Sequence, residues 1–412
     1  MKAIGMNRRL VAPPGICALA ALLFPGCGLF CCSASRAAEA AKSGSAKVEL
    51  SLVDAVNLLP EKYRPDAVKA LGAAEKNQPE LIRAIERVAP NEREGLAFLL
   101  VNMPERDLAS LKADLLVENV DYAYRARSAA PWGKAVPDEL FFNDVLPYVN
   151  VNEKRENWRK DFYDKFFPAV KNCHSPGEAA ILLNKLVFET TKVKYHPTKR
   201  PKADQSPSES CAAGYASCSG LSILLVDACR TVCIPARFVG IPEWTNADGS
   251  GGGNHSWVEI WDRQWNFLGA SEGGPLNKTW FNANAARSDA SKPERRIYAA
   301  SYAPTGTSFI LVWAPENKDV PAIEVTPFYT RRASLKIEVL DRPGGQPQTV
   351  RLSIRRGGKL VASDAANTSF QFDLARGEKY SAEISVGDQR PVVREFTAPS
   401  EGADVKLILS NG

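Results

Sequence analysis

Between Val48 and Ala126 apolar residues recur at helical spacing, as in Leu81, Ile82, Ile85 and Val88, and again in Leu108, Leu111, Leu115 and Leu116. Pro79, Pro90 and Pro104 stand where helices start or stop. Residues 41–130 are therefore predicted to be an all-α region whose leucines pack inward. A Pro/Gly-bearing linker, SAAPWGKAVP (128–137), leads into further helix-like sequence through Val193, followed by the loop HPTKRPKADQSPSES. After Gly220, the residues Leu221, Leu224, Leu225, Ala228 and Val232 predict a buried helix. The runs ARFVGI, HSWVEIW and QWNFLGA read as strands, with the glycine-rich ADGSGGG as a hairpin or mobile loop between the first two. Beyond Thr326 the period becomes two, in Leu335-Ile337-Val339, Val350-Leu352-Ile354, Phe370-Phe372-Leu374, Tyr380-Ala382-Ile384 and Val405-Leu407-Leu409. Turn sequences such as Pro343-Gly344-Gly345 separate these runs, which predicts an immunoglobulin-like β-sandwich over 327–412. That segment has neither cysteine nor histidine, so binding or support is expected of it rather than catalysis.

The first forty residues follow a different pattern. Lys2, Arg8 and Arg9 precede a mostly apolar run from Ile16 to Cys32, then small residues and Ala38-Glu39-Ala40. This predicts a secretory signal peptide over residues 1–40, and hence export to the periplasm, cell envelope or exterior. Pro25, Gly26 and Gly28 interrupt the run and argue against a membrane anchor. Membrane attachment is expected only if Cys27, in Leu-Phe-Pro-Gly-Cys, is lipidated, and its proline fits that signal poorly.

Residues 1–40 hold a net +3 of the chain's +5, leaving +2 for the remainder and no dense basic block. Nucleic acid is thereby excluded as an expected partner. Four of the nine cysteines leave with the same segment, and Cys173, Cys211, Cys218, Cys229 and Cys233 remain. An odd number in an exported protein implies at least one unpaired thiol. Cys211 or Cys173 pairing with Cys229 or Cys233 stays open, as does plain burial. The spacing lacks the clusters of structural zinc, and no calcium loop is present, so neither metal nor cofactor is expected.

Position separates the sulfurs. Ser217 or Ser219 can cap the helix, which puts Cys218 at its first turn, where partial positive charge and free N–H groups lower a thiol pKa and can bind an oxyanion. A thiolate needs a base. Of His174, His196 and His255, the first two read as surface residues, whereas His255 opens an alternating strand directly after the glycine-rich loop. A lone strand histidine is more often structural.

The combination of a cysteine opening a helix, then IPARFVG, HSWVEIW and QWNFLGASE, resembles the transglutaminase-like superfamily of papain-like thiol enzymes. The resemblance covers about Lys194 to Glu272, and the block with its GASE ending and LNKTWF is similar to an exported bacterial subgroup. It implies a papain-like transglutaminase core over 138–326, and an α+β fold class in which this core lies between the helical region and the β-sandwich. It also implies Cys218 as nucleophile and His255 as general base, with Trp257 shaping the site and Asn254 beside it. The family's orienting aspartate would stand at Gly269, four residues after Trp265. Glu272 is the nearest carboxylate able to hold the His Nδ1–H in its place; an amide or backbone carbonyl is the other possibility. Asn254-His255-Ser256 is also a glycosylation sequon, and a glycan there would obstruct the base, which fits a bacterial source.

The implied chemistry is acyl transfer or hydrolysis on protein or peptide amides through a cysteine thioester. The competing class is a catalytically impaired binding or scaffolding module of the cell envelope. The sequence leaves the oligomeric state open.

Overall fold

The computed structural model describes residues 50–409. Residues 1–40, read above as a signal peptide, lie outside them, and Cys27 with them.

Helices α1 (Leu52–Asn57), α2 (Arg64–Ala73), α3 (Gln78–Arg87), α4 (Arg93–Val101), α5 (Glu105–Leu108) and α6 (Ala113–Ala129) form the first part. Proline stands at the first turn of α2 and α3, where its missing N–H costs no hydrogen bond. Leu108 and Leu115 fall on different helices, since the chain breaks between α5 and α6. The 128–137 segment is not a free linker. Trp132 is buried there, and its Nε1–H donates to the Cys233 carbonyl at 3.0 Å. One apolar cluster runs from Ala55 through Trp132 to Trp261 and Leu360.

Next come α7 (Asp138–Leu140), a π-turn (Phe141–Val145), α8 (Arg159–Val170) and α9 (Pro176–Thr191). The stretch 146–158 is not the helix its composition suggests. Its backbone carbonyls are bound from outside: Arg159 donates to Val145, Leu146 and Pro147, and Arg230 to Val149. Those buried guanidiniums satisfy oxygens that a helix would have satisfied internally.

Strand β1 (Lys194–Tyr195), helix α10 (Pro207–Ala213) and strand β2 (Tyr215–Ala216) lead to α11 (Cys218–Thr231). The central strands are β3 (Ala236–Ile241), β4 (His255–Asp262) and β5 (Gln264–Leu268). After the short helix α12 (Asn282–Ala285) follow β6 (Tyr298–Ala300), β7 (Ala322–Glu324) and α13 (Thr326–Thr330). The C-terminal strands are β8 (Arg332–Leu340), β9 (Val350–Arg356), β10 (Lys359–Asn367), β11 (Ser369–Ala375), β12 (Lys379–Ser385), β13 (Val392–Thr397) and β14 (Asp404–Ile408).

This is the mixed α+β architecture expected, with helices, a core carrying α11 against β3 and β4, and C-terminal sheets consistent with a sandwich. Strands β10 and β13 escape the period-two reading because their exposure is mostly intermediate or high. The sandwich sheets are β13-β12-β9-β10 and β11-β8-β14, the latter closing with a parallel β14–β8 pair. The first sheet continues through Ala362↔Gln264 into the antiparallel run β5-β4-β3-β6-β7. No described helix is long and apolar enough to cross a membrane.

Candidate active site

The helix α11 begins at Cys218 because Ser217 caps it. Ser217 has extended backbone geometry, its hydroxyl accepts from the Gly220 N–H, and it donates to the Ala203 carbonyl at 2.8 Å. Downstream, α11 is buried throughout, so its start is held rigidly. Cys218 is partly exposed as a residue, while Cys229 and Cys233 are wholly buried. All five described cysteines are free thiols, so the disulfide option is not taken up among them.

Two N–H groups (Ser219 and Ser256) and the Ser219 hydroxyl favour the thiolate of Cys218, as does the charge of Arg200. Burial opposes them and prevails, holding the thiol above its ordinary value. The helix start alone predicted the opposite sign; desolvation, invisible in the sequence, decides it. Burial pushes Cys233 up to about 12 and Cys229 still further, leaving both inert as thiols.

His255 opens β4, one residue before the Ser256 amide that faces Cys218. The glycine-rich stretch forms the β3–β4 hairpin, in register Ile241↔His255, with an internal bridge Thr245↔Gly251. Strand alternation splits the two residues: Ser256 Oγ meets Ser219 Oγ on α11 at 3.1 Å, while His255 and Trp257 face an aromatic cluster. The imidazole packs among Trp244, Trp257, Trp280 and Phe281, with centroids 4.9–6.0 Å away. Its Nε2 is buried without a hydrogen-bond partner. Burial alone lowers its pKa from 6.5 to about 4, so the ring is neutral at pH 7.

Glu272 lies beside this cluster, but its hydrogen bond does not go to His255. The carboxylate Oε1 accepts from Trp280 Nε1–H at 2.7 Å, and Trp280 is the ring nearest the imidazole. Burial holds Glu272 above the usual carboxylate range, and the indole bond pulls the other way. A Cβ at Gly269 would come within 2.1 Å of Glu272 Oε2, so this carboxylate already fills the space next to the glycine.

Trp257 is fully buried, and its Nε1–H donates to the Tyr329 hydroxyl at 2.8 Å. Tyr329 donates onward to Glu259 Oε1 at 2.6 Å, and Arg237 Nε to Glu259 Oε2 at 2.7 Å. Arg237 and Glu259 are directly paired across β3 and β4, so the IPAR and HSWVE runs are two halves of one buried ion pair. Asn254 is exposed at the loop end, directly before His255.

Two contributors had no signal in the sequence pattern, Tyr329 and Asn184, and a third, Trp280, entered only as part of the LNKTWF run with no role attached. Asn184, buried on α9, donates to the carbonyls of Gly269 and Glu272 and accepts from the Ser271 N–H, tying down the turn that carries Glu272. Its position on an amphipathic helix gives no hint of that task. A cavity of about 710 Å³ opens beside this turn, lined by Ile181, Leu182, Phe188, Lys194, Glu272 and Gly273 among others. His196 Nδ1 accepts from the amides of Thr198 and Lys199, and the His174 backbone N–H donates to Glu178 Oε2. No group of described residues is arranged to hold a metal ion.

Residues 165–285 match the model of the transglutaminase-like superfamily. No curated protein matches the chain. Among solved structures, a candidate cysteine protease from Cytophaga hutchinsonii is 13% identical with a TM-score of 0.27, the match covering 48% of this chain and 66% of that one. Red sea bream transglutaminase is 12% identical with a TM-score of 0.32, the match covering 65% of each chain. The present chain thus spans just under two thirds of the length of either.

Proposed function

We propose, with the transglutaminase-like match over residues 165–285 as premise, that the protein is a thiol enzyme that transfers or hydrolyses acyl groups from protein or peptide amides. The observation that carries this reading is the placement of Cys218 at a capped helix start, against the backbone of a strand that opens with His255.

In the reaction the Cys218 S–H proton passes to the neutral imidazole of His255 as sulfur attacks the amide carbon. The carbon–nitrogen bond breaks, the leaving nitrogen takes that proton, and ammonia or an amine departs, leaving a thioester. Water or a second amine then attacks the thioester, losing a proton to His255 and returning Cys218 to its thiol. Because burial keeps both groups neutral at rest, the proton moves with the attack rather than beforehand. The amides of Ser219 and Ser256 favour a charged sulfur and lower the cost of that step. Export rests on the pattern of residues 1–40 and belongs to the same proposal.

The test is alkylation with iodoacetamide at pH 7, mapped by mass spectrometry. Cys218 is expected to react ahead of Cys229 and Cys233, with most of that rate lost in His255→Ala. Amine uptake by, and ammonia release from, a glutamine-bearing protein such as casein then divides transferase from hydrolase. Labelling of Cys218 at the rate of a free thiol, indifferent to His255, would overturn the enzyme. The unpartnered Nε2 favours one alternative, an impaired module that binds without turnover, and that result would establish it.

A further inference from the structure

Three of the four rings around His255, namely Trp244, Trp257 and Phe281, are buried and need nothing more to hold them. Trp280 is 61% exposed, yet its ring is the nearest, at 4.9 Å and tilted by 57°. An indole so exposed is free to leave for other rotamers unless something ties it. The tie is the bond from its Nε1–H to Glu272 Oε1, and Glu272 stands on the turn that Asn184 fixes from α9.

We propose that Trp280 is a positioning residue for His255, and that Glu272 acts by holding Trp280 in place instead of binding the imidazole. The indole forms the outer wall of the histidine's compartment, limiting both the ring's orientation and its access to water. In this chain a carboxylate–indole pair thus stands in the position left by the absent aspartate at Gly269. The proposal rests on His255 being the base, but its test does not require turnover.

The rings in contact with the imidazole are Trp244, Trp257, Trp280 and Phe281, and the carboxylate beside this compartment is Glu272, bound to Trp280. No charge contributes to its depressed pKa, whose cause is burial. That gives the two possible roles of Glu272 opposite signs. If Glu272 braces the wall, removing it lets water in and the His255 midpoint rises. A carboxylate bound to the imidazole would favour the charged ring, and removing it would make the midpoint fall.

The experiment is an NMR titration of histidine-labelled full-length protein, with His255 assigned by its loss in His255→Asn. Glu272→Ala and Trp280→Ala should each raise the midpoint by about one pH unit or more. Glu272→Gln, whose amide oxygen still accepts from the indole, should restore the wild-type value. Glu272→Ala should add nothing in a Trp280→Ala background. A midpoint that falls or stays put in Glu272→Ala, or a Glu272→Gln as altered as the alanine variant, overturns the proposal. Because Trp280 is exposed, its variants are expected to fold. Loss of His255-dependent labelling of Cys218 in wild type would count against the enzyme, and would leave this titration still decisive for the wall.

Discussion

The Glu272 carboxylate occupies the space beside Gly269: a Cβ on residue 269 would lie 2.1 Å from Glu272 Oε2, 2.2 Å from Cδ and 2.6 Å from Oε1. The glycine thus leaves room for a carboxylate whose hydrogen bond goes to Trp280.

Gly269→Asp alone should destabilise the fold by no more than about 1 kcal/mol, since the clash falls on the end of the flexible Glu272 side chain, which can turn aside at the expense of its bond to Trp280. Adding Glu272→Ala in the same chain should recover most of that loss by vacating the space. Thermal melting of the two variants checks it. Equal melting temperatures for the single and double variants would count against the clash.

Acid should weaken the protein through His255. Its folded pKa, about 4, lies below the unfolded 6.5, so between these values the unfolded chain binds the proton more tightly. The contribution is full above pH 6.5 and is lost as pH falls toward 4, on the order of 3 kcal/mol in all. Urea unfolding at pH 7 and pH 4.5 should show a smaller acid penalty in His255→Asn than in wild type. An identical penalty in both would remove His255 from the account.

The Arg237–Glu259 pair is buried on both sides, with Glu259 wholly inaccessible. Arg237→Ala should cost about 3–5 kcal/mol, since it strands a buried carboxylate. Arg237→Lys should recover only part, because the guanidinium also stacks on Trp265 at 3.8 Å. Chemical denaturation of the two variants gives the order directly.

Asn184→Ala removes three hydrogen bonds to the 269–272 turn and should cost about 1–3 kcal/mol. The specific sign is faster hydrogen exchange at the Ser271 amide, with amides inside the β3–β4 ladder little changed. Unchanged protection at Ser271 would show that the turn holds itself.

Much of this molecule was readable from short windows of sequence. The start of α11 is a local event, set by a serine that caps and by apolar residues at helical spacing. The alternation in the C-terminal strands reports burial on one face and needs no knowledge of the partner, whereas HSWVEIW is buried on both faces, its Ser256 and Glu259 included. Candidates Cys218 and His255 came from such windows, together with a family resemblance.

What the fold alone decided depends on contacts between distant segments. Asn184 meets Glu272 across 88 positions, Tyr329 meets Glu259 across 70, and no periodicity encodes such meetings. The helix start argued for a low thiol pKa at Cys218, but burial by the packed chain reversed the sign. Stretch 146–158 carries helix-like composition, yet Arg159 and Arg230 claim its carbonyls from outside. Spacing and capping act within a turn or two of chain; desolvation and long-range pairing exist only once the chain has closed on itself.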